Sequence, residues 1–168
     1  MSISPAVRDA WAANVRVNEV LLAHLTPEML AAQTPGGGYT VAQQLAHIIS
    51  STQYWGWLRD KARFEALPDP VLERDEEKGI FVVETDLARL LESQRQTETT
   101  ALEVTESEAD GVTLPPGQWE SSHATPDAFL IHMMVHDAHH RGQILLALKT
   151  SGQPLPAEDA LWGPWRGE

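Results

Sequence analysis

The sequence predicts an all-α fold: a four-helix bundle with a long crossover between helices two and three, formed as a single domain over residues 1–168. Three observations carry this. Apolar residues recur at helical spacing through four segments of about 20 residues each. Cap signals open three of those segments. The stretch between the second and third segments also runs to about 20 residues, against roughly 2–8 for a helical hairpin, so the chain crosses over there.

Helix one is predicted over about residues 5–25. Ser4-Pro5 supplies a cap and then proline at the first helical position, and Val7, Trp11, Val15, Leu21, Leu22 and Leu25 follow at largely helical spacing. Thr34-Pro35-Gly36-Gly37-Gly38 cannot continue a helix. Helix two starts at Thr40, where Thr40-Val41-Ala42-Gln43 matches a capping box. It carries Val41, Leu45, Ile48, Thr52 and Trp55 on one face and is expected to reach about Ala62, before Leu67-Pro68-Asp69-Pro70. From there to Glu84 the chain is acidic and poorly periodic, with residues 79–83 a candidate for a short extended piece.

Helix three is predicted from Thr85 or Asp86 to about Glu106, carrying Leu87, Leu90, Leu91, Gln94, Ala101 and Leu102. Residues 111–119 read as a loop, with a hairpin-like turn at Pro116-Gly117. Thr125-Pro126-Asp127 repeats the cap-plus-proline start, and helix four runs to Lys149 or Thr150, ended by Gly152 and Pro154. Trp162 and Trp165 in the tail suggest that it packs against the rest.

Composition narrows the function. Twelve Lys and Arg against 24 Asp and Glu give a formal charge of -12, which repels phosphate backbones and anionic lipid, so neither nucleic acid nor membrane is an expected partner. The start of the chain lacks a basic segment followed by an apolar one, and no apolar run approaches the ~20 residues that span a bilayer, so a cytoplasmic protein is expected. The chain has no cysteine, which excludes a disulfide framework and any thiolate from the protein. Metal chemistry would have to use imidazole, carboxylate or water.

The chemistry concentrates in helix four. His132, His136, His139 and His140 fall within nine residues. Residues four apart share a helix face with Cβ atoms ~6 Å apart, close enough for two imidazoles to hold one ion at ~2.1 Å. His132/His136 and His136/His140 both meet that condition. The apolar seam decides between them: Phe129, Met133, His136, His140, Ile144, Ala147 and Ser151 follow at steps of three and four, so His136 and His140 point inward together. His132 and His139 are rotated away from the seam. Two buried histidines could instead bond to carbonyls or carboxylates, but a shared cation satisfies both at once.

Protein zinc sites take three or four groups, so a third ligand must come from another helix. His47 is the best candidate, although it lies on the flank of the helix-two stripe. His24 and His123 sit near predicted element ends. As protons compete for the same nitrogens, metal retention is expected to weaken below the ~6.5 reference pKa of histidine.

The run His136-Asp137-Ala138-His139-His140-Arg141-Gly142-Gln143-Ile144 resembles the last-helix signature of the DinB/YfiT-like superfamily, typically His-Glu-x-His-His-Arg-Gly-Gln. Tyr39-Thr40-Val41-Ala42-Gln43-Gln44-Leu45-Ala46-His47-Ile48-Ile49 is similar to that family's second helix. The resemblance implies a DinB-like bundle, commonly a homodimer, with a divalent metal (zinc, nickel or iron) on His47, His136 and His140. Asp137 stands where glutamate is common, which leaves open any supporting role there. Arg141 and Gly142 read as structural, the arginine pairing with bundle carboxylates and the glycine allowing close helix approach.

A three-imidazole ion with an open position can activate water or a thiol. The resemblance implies a metal-dependent enzyme, foremost an S-transferase that uses a low-molecular-weight thiol on a small-molecule substrate in detoxification or stress response. A metal-dependent hydrolase is the alternative, and a bundle that binds metal or ligand without turnover is a third reading. Spacing singles out no catalytic acid or base, though His139 and Asp137 are candidates.

Overall fold

The computed structural model describes residues 3–110 and 123–167, so the loop and turn predicted over 111–119 lie outside the described residues. Among the described residues the chain is mostly helical, with one small sheet. The four predicted helices appear as α1 (Pro5–His24), α2 (Val41–Trp57), α4 (Leu87–Ala109) and α5 (Pro126–Thr150), and shorter helices are α3 (Lys61–Glu65) and α6 (Glu158–Arg166). Among the described residues no helix is long and apolar enough to cross a membrane.

Local chemistry sets the helix starts. The capping box at Thr40 is complete: the Gln43 backbone N–H donates to Thr40 Oγ1 at 3.3 Å, and the Thr40 N–H donates to Gln43 Oε1 at 3.0 Å. Thr125 Oγ1 accepts from the Ala128 N–H at 3.2 Å ahead of Pro126. Asp86 Oδ1 accepts from Ala88 N–H at 2.8 Å. At α1, Pro5 occupies the first turn but Ser4 makes no side-chain cap bond.

The region between α2 and α4 is more ordered than its weak periodicity suggests. α2 stops at Trp57, short of the expected residue 62, and the chain restarts as α3 under the Asp60 cap. Strands β1 (Val71–Asp75) and β2 (Ile80–Val83) then pair antiparallel, and the extended piece expected at 79–83 is β2. Gly79 adopts φ +67 in the connecting turn, a conformation that favours glycine. The hairpin is tied to the helices by Gln43 Nε2 donating to Phe81 O at 2.9 Å, and the segment before it by Ser93 Oγ donating to Pro68 O at 2.6 Å.

Two apolar clusters make the core. One joins Leu21, Leu22, Leu45, Ile48, Ile49, Leu90, Ile144 and Leu148, and the other joins Trp11, Phe64, Ala101, Val104, Phe129, Leu130 and Met133. Between them each long helix carries buried polar residues: Asn14 and Asn18 on α1, Gln44 on α2, Gln94 and Glu98 on α4, and Asp137, His140 and Arg141 on α5. This polar layer is the level at which the histidines converge.

The tail packs as expected: α6 lies on α1, whose Arg16 donates to Pro164 O at 3.2 Å, although Trp162 and Trp165 themselves stay largely exposed. Two expectations need correction. Gly142 faces open space, with nothing within 4 Å of where a Cβ would stand, so close helix approach does not explain it. The glycine that close packing does require is Gly56, where a Cβ would overlap the Phe64 ring of α3. Ser151, placed last on the apolar seam, is exposed.

Phe64 is the residue that locks α3 under α2. We expect Gly56→Ala to destabilise the fold by about 1–3 kcal/mol through overpacking, read as a lower urea midpoint. An unchanged midpoint would contradict this packing.

Candidate metal centre

His136 and His140 lie one turn apart on α5, and α2 packs alongside with His47. One ligand atom from each of the three histidines falls within 4.8 Å of the others. His136 Nε2 and His47 Nε2 are 3.3 Å apart, and the His47 ring centroid lies 4.6 Å from that of His140. Helical spacing on α5 and the packing of α2 against it therefore bring together the three residues that the resemblance implied. Two imidazole nitrogens in hydrogen-bond contact need a proton on one of them, whereas a shared cation takes a lone pair from each.

The surrounding bonds fit such an ion. His140 Nδ1 contacts Gln44 Oε1 at 2.5 Å, Gln44 Nε2 donates to Gln143 Oε1 at 2.6 Å, and Gln143 Nε2 contacts His139 Nε2 at 2.6 Å. A cation on His140 Nε2 requires the proton on Nδ1, and that choice makes every bond in this chain donor-to-acceptor, ending on His139 as acceptor.

Behind His136 stands Asp137. It is only 1% exposed, and its Oδ2 accepts from Asn14 Nδ2 at 2.8 Å and Asn18 Nδ2 at 3.0 Å. Its Oδ1 and the Nδ1 of His136 are both buried without a hydrogen-bond partner, and they lie 4.0 Å apart. These are the acceptor and donor that a metal-binding imidazole uses to hold its orientation against a carboxylate. The shorter side chain of aspartate, which left a role here open, thus still places its carboxylate beside His136. It also sits too deep to exchange protons with a substrate.

Arg141 completes the layer, donating from Nη1 to Asn14 Oδ1 at 2.7 Å and Asn18 Oδ1 at 2.6 Å. It therefore reaches the bundle carboxylate through the two asparagines rather than pairing with it directly. Asn18 also donates to Glu98 Oε1 at 2.7 Å, as Gln94 does at 2.6 Å. Burial pushes the Glu98 carboxyl up to about 8, so at neutral pH it is protonated and the layer carries one negative charge less.

Burial also favours the neutral form of His140 and His47, the form that binds metal. It pushes His140 down to about 4, reinforced by His136, His47 and His139 and opposed by Asp137. His47 is lowered chiefly by burial, then by His136 and Arg74.

The remaining histidines go elsewhere. His132 Nδ1 contacts His123 Nε2 at 2.9 Å beside Trp55, and His24 Nε2 contacts Pro154 O at 3.0 Å. His139 is exposed, with its ring edge-on to His140 at 4.9 Å between centroids and its Nε2 on Gln143. Residue patterning missed Gln44, Asn14, Asn18 and Glu98. The signal was present in Asn14 and Asn18, which stand four apart on the stripe of Trp11 and Leu21, where a polar pair demands a buried partner.

A helical chain with three converging imidazoles and the His-Asp-Ala-His-His-Arg-Gly-Gln run defines a class. The chain matches the DinB family over residues 6–167, nearly its whole length, and belongs to it. No curated protein and no solved structure matches it significantly.

His136→Ala or His140→Ala is expected to abolish stoichiometric metal in elemental analysis, while His132→Ala retains it. Equal loss in all three would overturn this assignment. Metal retention is expected to persist somewhat below pH 6.5, because protons reach a lowered imidazole only in more acidic solution, and to be lost as pH approaches the value of about 4 at His140. Retention that is flat from pH 8 to 4 would contradict imidazole ligation.

Proposed function

We propose that the chain is a single-domain, four-helix bundle of the DinB type that works as a divalent-metal-dependent enzyme. The reaction we assign is transfer of a low-molecular-weight thiol onto a small electrophile, in cytoplasmic detoxification or stress response. The observation that carries this reading is the cluster of three histidines with ligand atoms within 4.8 Å, opening at His47 on a groove of about 510 Å³. That volume suits a small molecule.

A divalent ion held by His47, His136 and His140 would supply a Lewis acid that lowers the pKa of a thiol or water at its open position. The protein's own part is support. Gln44 fixes the face of His140, Asp137 stands 4.0 Å from the open nitrogen of His136, and burial favours the neutral, donor form of His47 and His140. Ser50, Ser51 and Tyr54 line the groove and give hydroxyls to a bound substrate. The overall balance is R–SH plus E–X giving R–S–E plus HX: the sulfur–electrophile bond forms, the bond to X breaks, and the thiol proton leaves with X. The lack of cysteine agrees with an external thiol.

The active species we propose is a homodimer. Ile131, Val135 and Leu146 are exposed on the outer face of α5, Val135 at 64%, and with Ala138 and Gly142 they form a continuous apolar stripe at helical spacing. Such a stripe is the kind of surface a second helix covers. A monomeric mass in sedimentation velocity would contradict the dimer.

The test of function is thiol consumption. Zinc- or nickel-loaded protein is incubated with a small thiol and an alkyl halide or epoxide, and we expect turnover that falls at least about a hundredfold in His140→Ala, as supporting or ligating residues of a metal site typically cost. Loaded protein that neither binds nor consumes a thiol would rule the transferase out. Ester or amide turnover without thiol would instead favour a hydrolase, and tight ligand binding with no turnover would favour a binding protein.

A further inference from the structure

The groove beside the metal centre carries a charge that the proposed chemistry has not used. Along with His47 and Tyr54 it is lined by Arg74, from β1. Arg74 stands opposite Phe81 in the hairpin, and its guanidinium lies over the Phe81 ring at 4.6 Å from the centroid. Phe81 in turn packs on Tyr39, with centroids 5.1 Å apart, and Tyr39 on His47 at 5.7 Å. This stack fixes the arginine's plane relative to the site.

Arg74 differs from the other arginines in its partners. Arg8, Arg59, Arg63, Arg89, Arg95 and Arg166 pair with carboxylates, while Arg16 and Arg141 donate to a carbonyl and to asparagines. Arg74 is exposed; among the described residues its guanidinium lies over the Phe81 ring and acts electrostatically on His47, and no protein group accepts from its side-chain N–H groups. That is unexpected in a chain with 24 acidic residues against 12 basic ones. The nearby acids with a printed partner bond elsewhere: Asp75 holds Lys78 at 2.5 Å, and Asp69, also on the groove wall, accepts from the Val71 N–H at 2.8 Å.

A guanidinium facing a divalent ion across a groove repels it, a repulsion that an anion bridging the two would relieve. We infer that the groove binds a substrate or cosubstrate bearing a carboxylate, held by the Arg74 guanidinium while its reacting end lies at the three-histidine centre. A single planar fork suits a monoanionic carboxylate, whereas a phosphate dianion usually gathers several donors. The inference rests on the metal-centre reading and names the substrate class for it.

The test uses probes that bind an open divalent ion whatever the natural chemistry. Zinc-loaded protein is titrated calorimetrically with a series of hydroxamates of increasing chain length ending in a carboxylate, each against its methyl-ended match. At the optimal length the carboxylate form is expected to bind about tenfold tighter, with the ratio shrinking in high salt and falling to about one in Arg74→Gln. Equal affinities in the wild type, or a preference that survives Arg74→Gln, would overturn the inference. A parallel pair, 3-mercaptopropionate and 2-mercaptoethanol, separates the two readings. Hydroxamates that discriminate while neither thiol binds support the carboxylate site and sink the thiol chemistry. Protein that holds no zinc sinks both.

Discussion

The constraint on which the structure depends is the burial of a polar layer across the middle of a helical core. An isolated buried charge is costly by several kcal/mol, so Asp137 and Arg141 can lie between the two apolar clusters only because Asn14 and Asn18 bridge them. Each asparagine donates to the carboxylate and accepts from the guanidinium. Glu98 joins the same layer in its protonated form, which avoids a second negative charge beside Asp137. The layer draws α1, α4 and α5 into one register, and the site inherits its geometry from that register.

The three-histidine cluster occupies the rim of this layer, where α2 meets α5. His136 and His140 get their common direction from one helical turn, which needs no loop to hold it and makes the pair rigid. Support comes from opposite sides: Asp137 from within the core behind His136, and Gln44 from α2 against His140. His47 reaches the cluster because the capping box fixes where α2 begins, and because the hairpin bonded to Gln43 holds that end of the helix. The hairpin does a second thing by projecting Arg74 over the groove, so the segment joining α2 to α4 shapes the approach to the site.

Much of this was legible in the residues. Proline after a polar residue, the capping box and the apolar period located the four long helices, because each rests on local backbone geometry or on one helix face, although α2 stops short of its expected end. The i, i+4 histidine pair was legible for the same reason, being a property of one helix. His47 was harder, since its angular position on α2 says nothing of its distance from α5, and only the family resemblance placed it. The β1–β2 hairpin escaped as a pair because residues 71–75 are mostly charged and exposed, leaving little alternation to read. Asn14 and Asn18 signalled a buried partner by their place on the stripe, but the partners themselves, like those of Gln44 and the Asn18 bond to Glu98, lie roughly 80 to 127 positions away, which no local pattern encodes.

X-ray absorption at the edge of a bound zinc ion tests the central claim most directly. The account predicts one ion per chain, with nitrogen neighbours near ~2.0–2.1 Å and the outer-shell scattering of three imidazole rings. A shell of oxygen atoms without imidazole scattering would contradict it, because the ion would then sit away from His47, His136 and His140.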